Sequence, residues 1–328
     1  MEPTPFSSKL TRAERARAEQ RERDRRHRLA REVADNHDGV ATRAMLMAAG
    51  LTRGQLDGEV RRGVWSPLGI HTLGITTSAP TGRALWRRAL WESSRNAVLD
   101  GPTALLAGGL KGWTESVIHV SVPNGDRVRS IEGVRHHRLR DLGETVGADL
   151  RRTTPALAAI RAAQWAQTHR QAATLVAMTV QQRLASPATL LGLWAGVGYS
   201  ARREVLGPVI QDVCAGAESL GELDFAQLCR RRGMPEPTRQ AVRIGRNGRV
   251  FLDVLWEGLD VHVEIQGAHH FAGVAGVDDA LRFNDQALRK GSTIRLQIPV
   301  LGLRIDPDPF LDQVAVALAS RRPRPGAA

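Results

Sequence analysis

Two carboxylates and one amide within residues 249–270 have the residue types and the spacing of a divalent-metal site. Apolar residues alternate with other residues on both sides of segment 257–260, which predicts a β-hairpin that turns there. If the turn is symmetric, Asp253 lies directly opposite Glu264, with the two Cβ atoms about 5 Å apart. Gln266 shares their face, because residues two apart on a strand point to the same side.

A metal ion would remove the repulsion between the two facing carboxylates, since hard divalent cations bind carboxylate oxygens. The pattern therefore predicts a site for Mg²⁺ or Mn²⁺, with Asp253 and Glu264 as metal ligands and Gln266 beside them. The alternative is a solvent-exposed hairpin whose acids point towards water.

The same register predicts an apolar face on the other side of the hairpin. Its cross-strand pairs are Leu252 with Ile265, Val254 with Val263 and Trp256 with Val261. Gly258, within the turn, can take the positive φ that a tight reversal favours.

Length, charge and cysteine content narrow the class of protein. The chain has 328 residues, enough for two or three domains, and 42% of them are hydrophobic. Its formal net charge of +12 favours a polyanionic partner, of which nucleic acid is the commonest. Its two cysteines form no Cys-x-x-Cys pair, so a zinc site is not indicated. Because we find neither a membrane-length apolar run nor a signal-peptide core, we expect a cytoplasmic protein without a membrane partner.

A basic stretch leads directly into the acidic hairpin and contains a single acid, Glu236. Its arginines are Arg230, Arg231, Arg232, Arg239, Arg243, Arg246 and Arg249. Such cations can hold phosphates beside a pocket that would otherwise be negative, so we expect these arginines to contact the DNA backbone. The alternative is an ordinary solvated surface.

Residues 37–78 have the pattern of two short helices followed by a β-wing. Thr42 can cap a first helix that Gly50 ends, and Thr52 can cap a second helix that begins at Arg53. Such a pair forms either a helix-turn-helix or an ordinary helical hairpin. In the first case the second helix enters the major groove. The residues expected to contact DNA are Arg53, Gln55, Arg61 and Arg62, and the wing strands are expected at 64–66 and 70–72.

Residues 39–56 and 60–65 resemble the N-terminal winged helix of AbiEi-type antitoxins. In that family the module binds DNA and is often autoregulatory, so the resemblance implies a regulator with a cognate toxin as a second partner. Segment 68–71 reads Leu-Gly-Ile-His where the family usually reads Arg-Gly-Val-Tyr, so we expect a differently shaped wing. Segments 118–123 and 152–155 are similar to the linker that follows the winged helix in actinobacterial relatives, which implies a scaffold.

The C-terminal third resembles the small domains related to very-short-patch-repair endonucleases, within the PD-(D/E)xK nuclease superfamily. The matching pieces are 218–222, 252–253, 263–267, His270, 282–285, Gly291 and 294–295. The resemblance implies a restriction-endonuclease-like αβββα core, in which helices flank a mixed sheet.

The same resemblance implies roles for single residues. Asp253 and Glu264 would bind the metal, and Glu222 would support it from the preceding helix. Gln266 stands where the relatives usually have Asp and the wider superfamily has Lys, and it can polarise a water or hold a ligand. The residues implied in catalysis are Glu222, Asp253, Glu264, Gln266 and His270, with Arg282 and Asp285 near the cleft and Arg282 contacting DNA.

The sequence thus predicts an α+β protein with a winged helix, a helical middle region and an endonuclease-like core. The expected divisions are a charged helical arm without a core face (1–36), the winged helix (37–78), a mostly helical scaffold (79–215), the nuclease-like domain (216–320) and a basic tail (321–328). Two functions remain open. One is an endonuclease acting on double-stranded DNA with Mg²⁺ or Mn²⁺, and the other is a non-enzymatic DNA-binding regulator or antitoxin.

The charge predicts binding to double-stranded DNA mainly through phosphates. Each neutralised phosphate releases counterions, so affinity should fall at least about tenfold between 50 and 200 mM salt. A gel-shift titration at several salt concentrations measures this slope. A flat response would rule out the phosphate-dominated mode.

Overall fold

Helices and strands follow one another in runs along the chain, and a computed structural model describes residues 11–75, 78–215, 225–244, 250–267, 274–289 and 294–321. The first elements are α1 (Arg12–Asp35), β1 (Val40–Thr42), α2 (Arg43–Ala48), α3 (Arg53–Arg61), β2 (Ser66–Pro67), β3 (Thr72–Gly74), α4 (Arg83–Glu92), β4 (Val98–Leu99), α5 (Gly101–Ala107), β5 (Ile118–Pro123) and β6 (Val134–Leu139). The later elements are β7 (Thr145–Val146), β8 (Arg152–Thr153), α6 (Pro155–Trp165), α7 (His169–Gln181), α8 (Pro187–Ala195), α9 (Arg203–Ala215), α10 (Phe225–Arg231), β9 (Arg239–Ile244), β10 (Val250–Trp256), β11 (Val261–Gln266), α11 (Val274–Arg289), β12 (Ile294–Pro299), α12 (Val300–Ile305) and α13 (Pro307–Arg321).

The protein is of the α+β kind and forms two compact units. The first unit comprises residues 1–99, 116–142 and 147–151, and the second comprises 100–115, 143–146 and 152–328. No helix within the described ranges is both long and apolar enough to cross a membrane.

The first unit begins with three helices and a small sheet of strand order β1-β3-β2. The predicted caps are confirmed. Thr42 accepts a hydrogen bond from the amide of Met45, and Thr52 forms a capping box with Gln55. The wing strands are shifted by about two residues from the expected positions, because β3 also pairs with β1. The three helices and the sheet share one hydrophobic core, which consists of Ala30, Ala34, Ala41, Leu46, Leu51, Leu56, Trp65, Leu73 and Ile75.

Helix α1 corrects the expectation of a charged arm without a core face. Ala30 and Ala34 are buried in the common core, and Leu29 and Val33 pack against it. These four apolar residues recur at helical spacing at the end of an otherwise charged helix. The charged pattern of the first two dozen residues concealed this short stripe.

A buried acid joins α1 to α3. Glu59, on α3, is 0% exposed, and its carboxylate accepts hydrogen bonds from Arg26 Nε at 3.3 Å and Nη2 at 3.2 Å. His27 Nε2 lies 3.2 Å from Glu59 Oε2, and Arg62 Nη2 lies 2.5 Å from Glu59 Oε1. Burial alone would raise the pKa of Glu59, but the hydrogen bonds from Arg62, His27 and Arg26 together lower it.

A second buried acid holds the loop between β2 and β3. The Glu92 carboxylate accepts hydrogen bonds from the amides of Ile70 at 3.0 Å, His71 at 2.8 Å and Thr72 at 2.7 Å. Burial raises its pKa, but these hydrogen bonds and that of the Thr72 hydroxyl lower it overall. A Cβ atom on Gly69 would lie only 2.3 Å from Glu92 Cδ, so the loop requires glycine there.

The rest of the first unit contains α4 and the strands β4, β5 and β6. Strands β5 and β6 pair in parallel, so they do not form a hairpin. A turn at Asn124 and Gly125 follows β5, and the chain continues past this turn before it returns along β6.

Two adjacent histidines of β6, His136 and His137, are half-buried. His136 Nε2 lies 2.8 Å from Ser93 Oγ, and burial together with the charge of Arg138 lowers its pKa. His137 stacks on the buried His119, with ring centroids 5.1 Å apart. Both rings therefore pack against other residues of the first unit.

The second unit contains a four-stranded mixed sheet of order β12-β11-β10-β9. Strands β9, β10 and β11 are antiparallel, while β12 runs parallel to β11 after the crossover helix α11. Asn284 on α11 is buried and bonds the backbone of Gln297 twice, at 2.8 and 2.9 Å. This fixes the helix to the edge of β12.

The hairpin register is confirmed in every predicted pair. Asp253 pairs with Glu264, and the three apolar pairs on the other face are as expected. The turn differs, because residues 257–259 form a 3₁₀ turn and the positive φ falls on Asp260, at 50°, and not on Gly258. Asp tolerates the left-handed region better than most residues, which permits this arrangement.

We expect Glu59→Gln to destabilise the first unit by on the order of 3 kcal/mol, the lower range for removing one partner of a buried ion pair. The pKa of Glu59 is lower in the folded protein than its value near 4.5 in the unfolded chain. The ionised carboxylate therefore contributes its full stabilisation above pH 4.5, and this contribution is lost as the pH falls below that value. Chemical denaturation at neutral and acidic pH measures both effects. The exposed Glu19→Gln on α1 is the control, with an expected change within about 0.5 kcal/mol. Equal effects of the two substitutions would contradict the role of Glu59.

Candidate functional site

One face of the β9–β12 sheet carries most of its polar side chains, while on β10, β11 and β12 the opposite face is apolar and buried. Cross-strand pairing arranges the polar face in three rows. The rows are Arg243, Phe251 and Gln266; Ala241, Asp253, Glu264 and Gln297; and Arg239, Leu255, His262 and Arg295. All of these side chains are half-buried or exposed, so this face is open to a ligand.

A single arginine bridges the acid pair at the centre of this face. Arg243 Nε donates to Asp253 Oδ2 at 2.8 Å, and Nη2 donates to Glu264 Oε2 at 3.1 Å. The guanidinium also lies over the ring of Phe251, with Cζ 4.9 Å from the centroid. The hydrogen bond to Asp253 and the charges of both acids raise the pKa of Arg243. The positive charge of Arg243 thus offsets the predicted repulsion between the two carboxylates.

The donor set also fits a divalent cation. Asp253 Oδ1 is buried and has no hydrogen-bond partner among the described residues. Its neighbour His262 Nε2 is 3.7 Å away, too far for a hydrogen bond. Two carboxylates, one of them with an unsatisfied oxygen, are ligands that Mg²⁺ and Mn²⁺ accept, and the amide of Gln266 shares the face. The described residues hold no group of three or more His, Cys, Asp and Glu side chains that could form a larger site.

A cavity of about 340 Å³ lies between the sheet and α11. Gln266 and Gln297 of the polar face line it, together with Asp279 and the half-exposed Phe283 of α11. Asp253 and Glu264 are not among its lining residues.

Several predicted site residues lie outside the described part of the chain: Glu222, Arg246, Arg249 and His270. Arg282 is described and exposed, but it pairs with Asp279 on its own helix. Asp285 accepts a hydrogen bond from Gln313 at 2.8 Å. Neither residue contacts the acid pair, so the structure does not bring them to the site.

Three of the five arginines that the structure describes in the basic stretch pair with acids of the protein, which corrects the expectation that all of them face DNA. Arg232 pairs with Asp308 and Asp312 on α13, and Arg230 Nη1 lies 3.0 Å from Glu236. With Arg243 on the acid pair, the exposed Arg231 and Arg239 are the better candidates for DNA contacts. The compensating acids come mostly from distant parts of the chain, so the local sequence did not reveal them.

Two of the four residues expected to contact DNA at the predicted recognition helix α3 are engaged in contacts within the protein. Arg53 is 86% exposed, with Nε 3.9 Å from Asp57 Oδ2, and Arg61 is exposed as well. Arg62 is committed to the buried Glu59. Gln55 is occupied by the capping box and by a 3.4 Å hydrogen bond to Glu22. Arg53 and Arg61 therefore remain the exposed cations of this helix.

Two residues near the acids were not foreseen as site residues. His262 lies two positions before Glu264, so the alternating pattern of the hairpin already placed it on the polar face. Arg295 is exposed on β12 and stands beside His262 in the parallel register. No local signal sets the register of a parallel strand that follows a helix, so Arg295 could not be placed from the sequence.

A scan against protein-family models finds no match to this sequence, and a search of curated proteins finds no significant relative. The arrangement of the site therefore carries the functional argument.

We expect Arg243→Gln to lower the melting temperature, because it leaves Asp253 and Glu264 facing each other without a counter-charge. In an Asp253→Asn background the same change should cost less, since the repulsion between the two carboxylates is already removed. Thermal melts of the wild type, the two single variants and the double variant form a double-mutant cycle. Additive effects would show that Arg243 does not act through the acid pair.

Proposed function

We propose that this protein binds double-stranded DNA and that its second unit is an endonuclease-like domain with a Mg²⁺ or Mn²⁺ site at Asp253 and Glu264. The observation that carries the proposal is the acid pair on an open sheet face, with Asp253 Oδ1 buried and lacking a hydrogen bond among the described residues. Facing like charges give a sheet no stability by themselves, so a cation must bind the two carboxylates.

The order of elements supports the endonuclease-like reading. Helix α10 precedes the antiparallel strands β9, β10 and β11, and helix α11 crosses over to the parallel strand β12. A central mixed sheet with flanking helices is what the resemblance to the very-short-patch-repair-related family implies. The acids stand on the two central strands, as they would in that family.

The mechanism assigns separate tasks to the residues of this face. Asp253 and Glu264 bind the cation, and the exposed Arg239 and Arg295 hold phosphates on either side of it. The cation, when bound, would lower the pKa of a water and stabilise the charge that develops on the phosphate. Gln266 can orient a water or a phosphate oxygen through its amide, which both donates and accepts hydrogen bonds.

The first unit supports DNA binding. Two capped helices are joined by a short turn, and strand β1 before them pairs with the strands after them in a three-stranded sheet. These are the elements of a winged helix. Arg53 and Arg61 are exposed on the second of these helices. In this proposal α3 reads the major groove and supplies sequence preference.

A non-enzymatic regulator is the second candidate, and the bridging Arg243 favours it. The guanidinium neutralises both acids without a metal, and Gln266 stands where the relatives usually have Asp. In this form the second unit would only bind DNA or a cognate toxin, as the resemblance to AbiEi-type antitoxins implies for the whole chain.

If Asp253 and Glu264 bind metal, Mn²⁺ should stabilise the protein by about 2.7 kcal/mol at 100 times its Kd. Asp253→Asn should abolish most of this gain and any Mn²⁺-dependent nicking of plasmid DNA. Glu257→Gln, which removes an exposed acid from the turn of the same hairpin, is the control and should retain both.

Stabilisation without nicking in the wild type would favour the regulator that binds metal. If the wild type shows no stabilisation by Mn²⁺ and no nicking, the metal site itself is contradicted.

Arg53→Ala should reduce discrimination between the preferred DNA site and random DNA by about 1–3 kcal/mol, the value of one base contact. Gln55→Ala should act differently, lowering helix stability through loss of the capping box while leaving discrimination nearly unchanged. Competition gel shifts and thermal melts separate the two effects. Loss of discrimination only in Gln55→Ala would show that the roles are reversed.

A further inference from the structure

Arg243 occupies the oxygens that a divalent cation would need. Its Nε and Nη2 atoms bond Asp253 Oδ2 and Glu264 Oε2, one oxygen from each acid. A dication and a guanidinium repel each other and compete for the same lone pairs, so the two cations cannot both hold these oxygens. Binding of metal between the acids requires that Arg243 leave them.

Of the three charged groups, Arg243 is the one able to move. The acids stand on the two central strands β10 and β11, whereas Arg243 stands on the edge strand β9. Its side chain is 50% exposed, against 28% and 23% for Asp253 and Glu264. An arginine on an edge strand can turn to solvent by rotation about its side-chain bonds, without any change in the backbone.

Once it leaves the acids, the guanidinium of Arg243 can bind a DNA phosphate. Its planar fork of donors matches phosphate oxygens as well as it matches carboxylates. The side chain lies over the ring of Phe251, one row away from the acids, so it can pivot there while remaining on the open face. A phosphate placed over this row would offer Arg243 a second anion within reach.

We propose that Arg243 is a positioning residue that exchanges between the acid pair and a DNA phosphate, so that DNA and the divalent cation bind cooperatively. This inference rests on the proposed metal site and adds its regulation. Without DNA, Arg243 holds the acids and metal binding is weak. With DNA, the phosphate draws Arg243 away and exposes the carboxylates to the cation. Because coupling between binding sites is reciprocal, the cation strengthens DNA binding by the same factor.

The first test measures Mn²⁺ binding to the free protein by electron paramagnetic resonance. Arg243→Gln should bind Mn²⁺ on the order of tenfold more tightly than the wild type, within the range of typical coupling energies. Arg239→Gln is the matched control, because it removes an exposed arginine from the same strand without freeing the acids. Its effect should be much smaller. Arg243→Lys, which keeps the charge but cannot bridge both acids with a fork, should lie between the wild type and Arg243→Gln.

The second test measures reciprocity through the anisotropy of a short fluorescent DNA duplex at constant ionic strength. Mn²⁺ should tighten DNA binding to the wild type and should do so much less in Arg243→Gln. Equal Mn²⁺ affinity in the wild type and in Arg243→Gln would overturn the exchange while leaving the metal site in place. Absence of Mn²⁺ binding in every variant, with and without DNA, would overturn the metal site and the exchange together.

Discussion

The carboxylates of Asp253 and Glu264 face each other across two central strands, and this fixed repulsion dictates what else the second unit must contain. The register cannot relax, because a shift by one residue would move the apolar face of the hairpin into solvent. A cation must therefore stand over the pair. In the free protein that cation is Arg243, supplied by the edge strand and held by both acids. The charges of the acids are thus balanced without metal, and a bridging cation would have to displace Arg243.

Buried acids organise the first unit by the same logic. Glu59 binds side chains from α1 and from its own helix, and so fixes α1 against α3. Glu92 binds three successive amides of the loop between β2 and β3, and so fixes the shape of the wing. In both places a buried carboxylate is fully satisfied, which makes it costly to remove and specific in what it holds. Glu59 and Glu92 therefore stabilise the part of the first unit that is proposed to bind DNA.

The total of 46 lysines and arginines overstates the cations that are available to a partner. Arg62, Arg232 and Arg243 are all engaged by acids of the protein itself. The arginines left exposed on the proposed binding faces, such as Arg53, Arg239 and Arg295, form a smaller and more specific set. For a basic protein, the placement of the unengaged cations thus says more about function than their total number.

Local chemistry was sufficient to predict the helix caps at Thr42 and Thr52 and the register of the hairpin, since a cap depends on neighbouring residues and a register on the alternation around a short turn. Contacts between distant segments could not be predicted in this way. The bridge from Arg243 to the acids, the pairing of Arg232 with α13, the packing of α1 and the parallel register of β12 all depend on how separate elements meet. Charge attraction and burial act through space, whereas a sequence pattern records only the spacing along the chain. The acid pair was therefore visible in the sequence, and the cation that controls it became visible only in the folded protein.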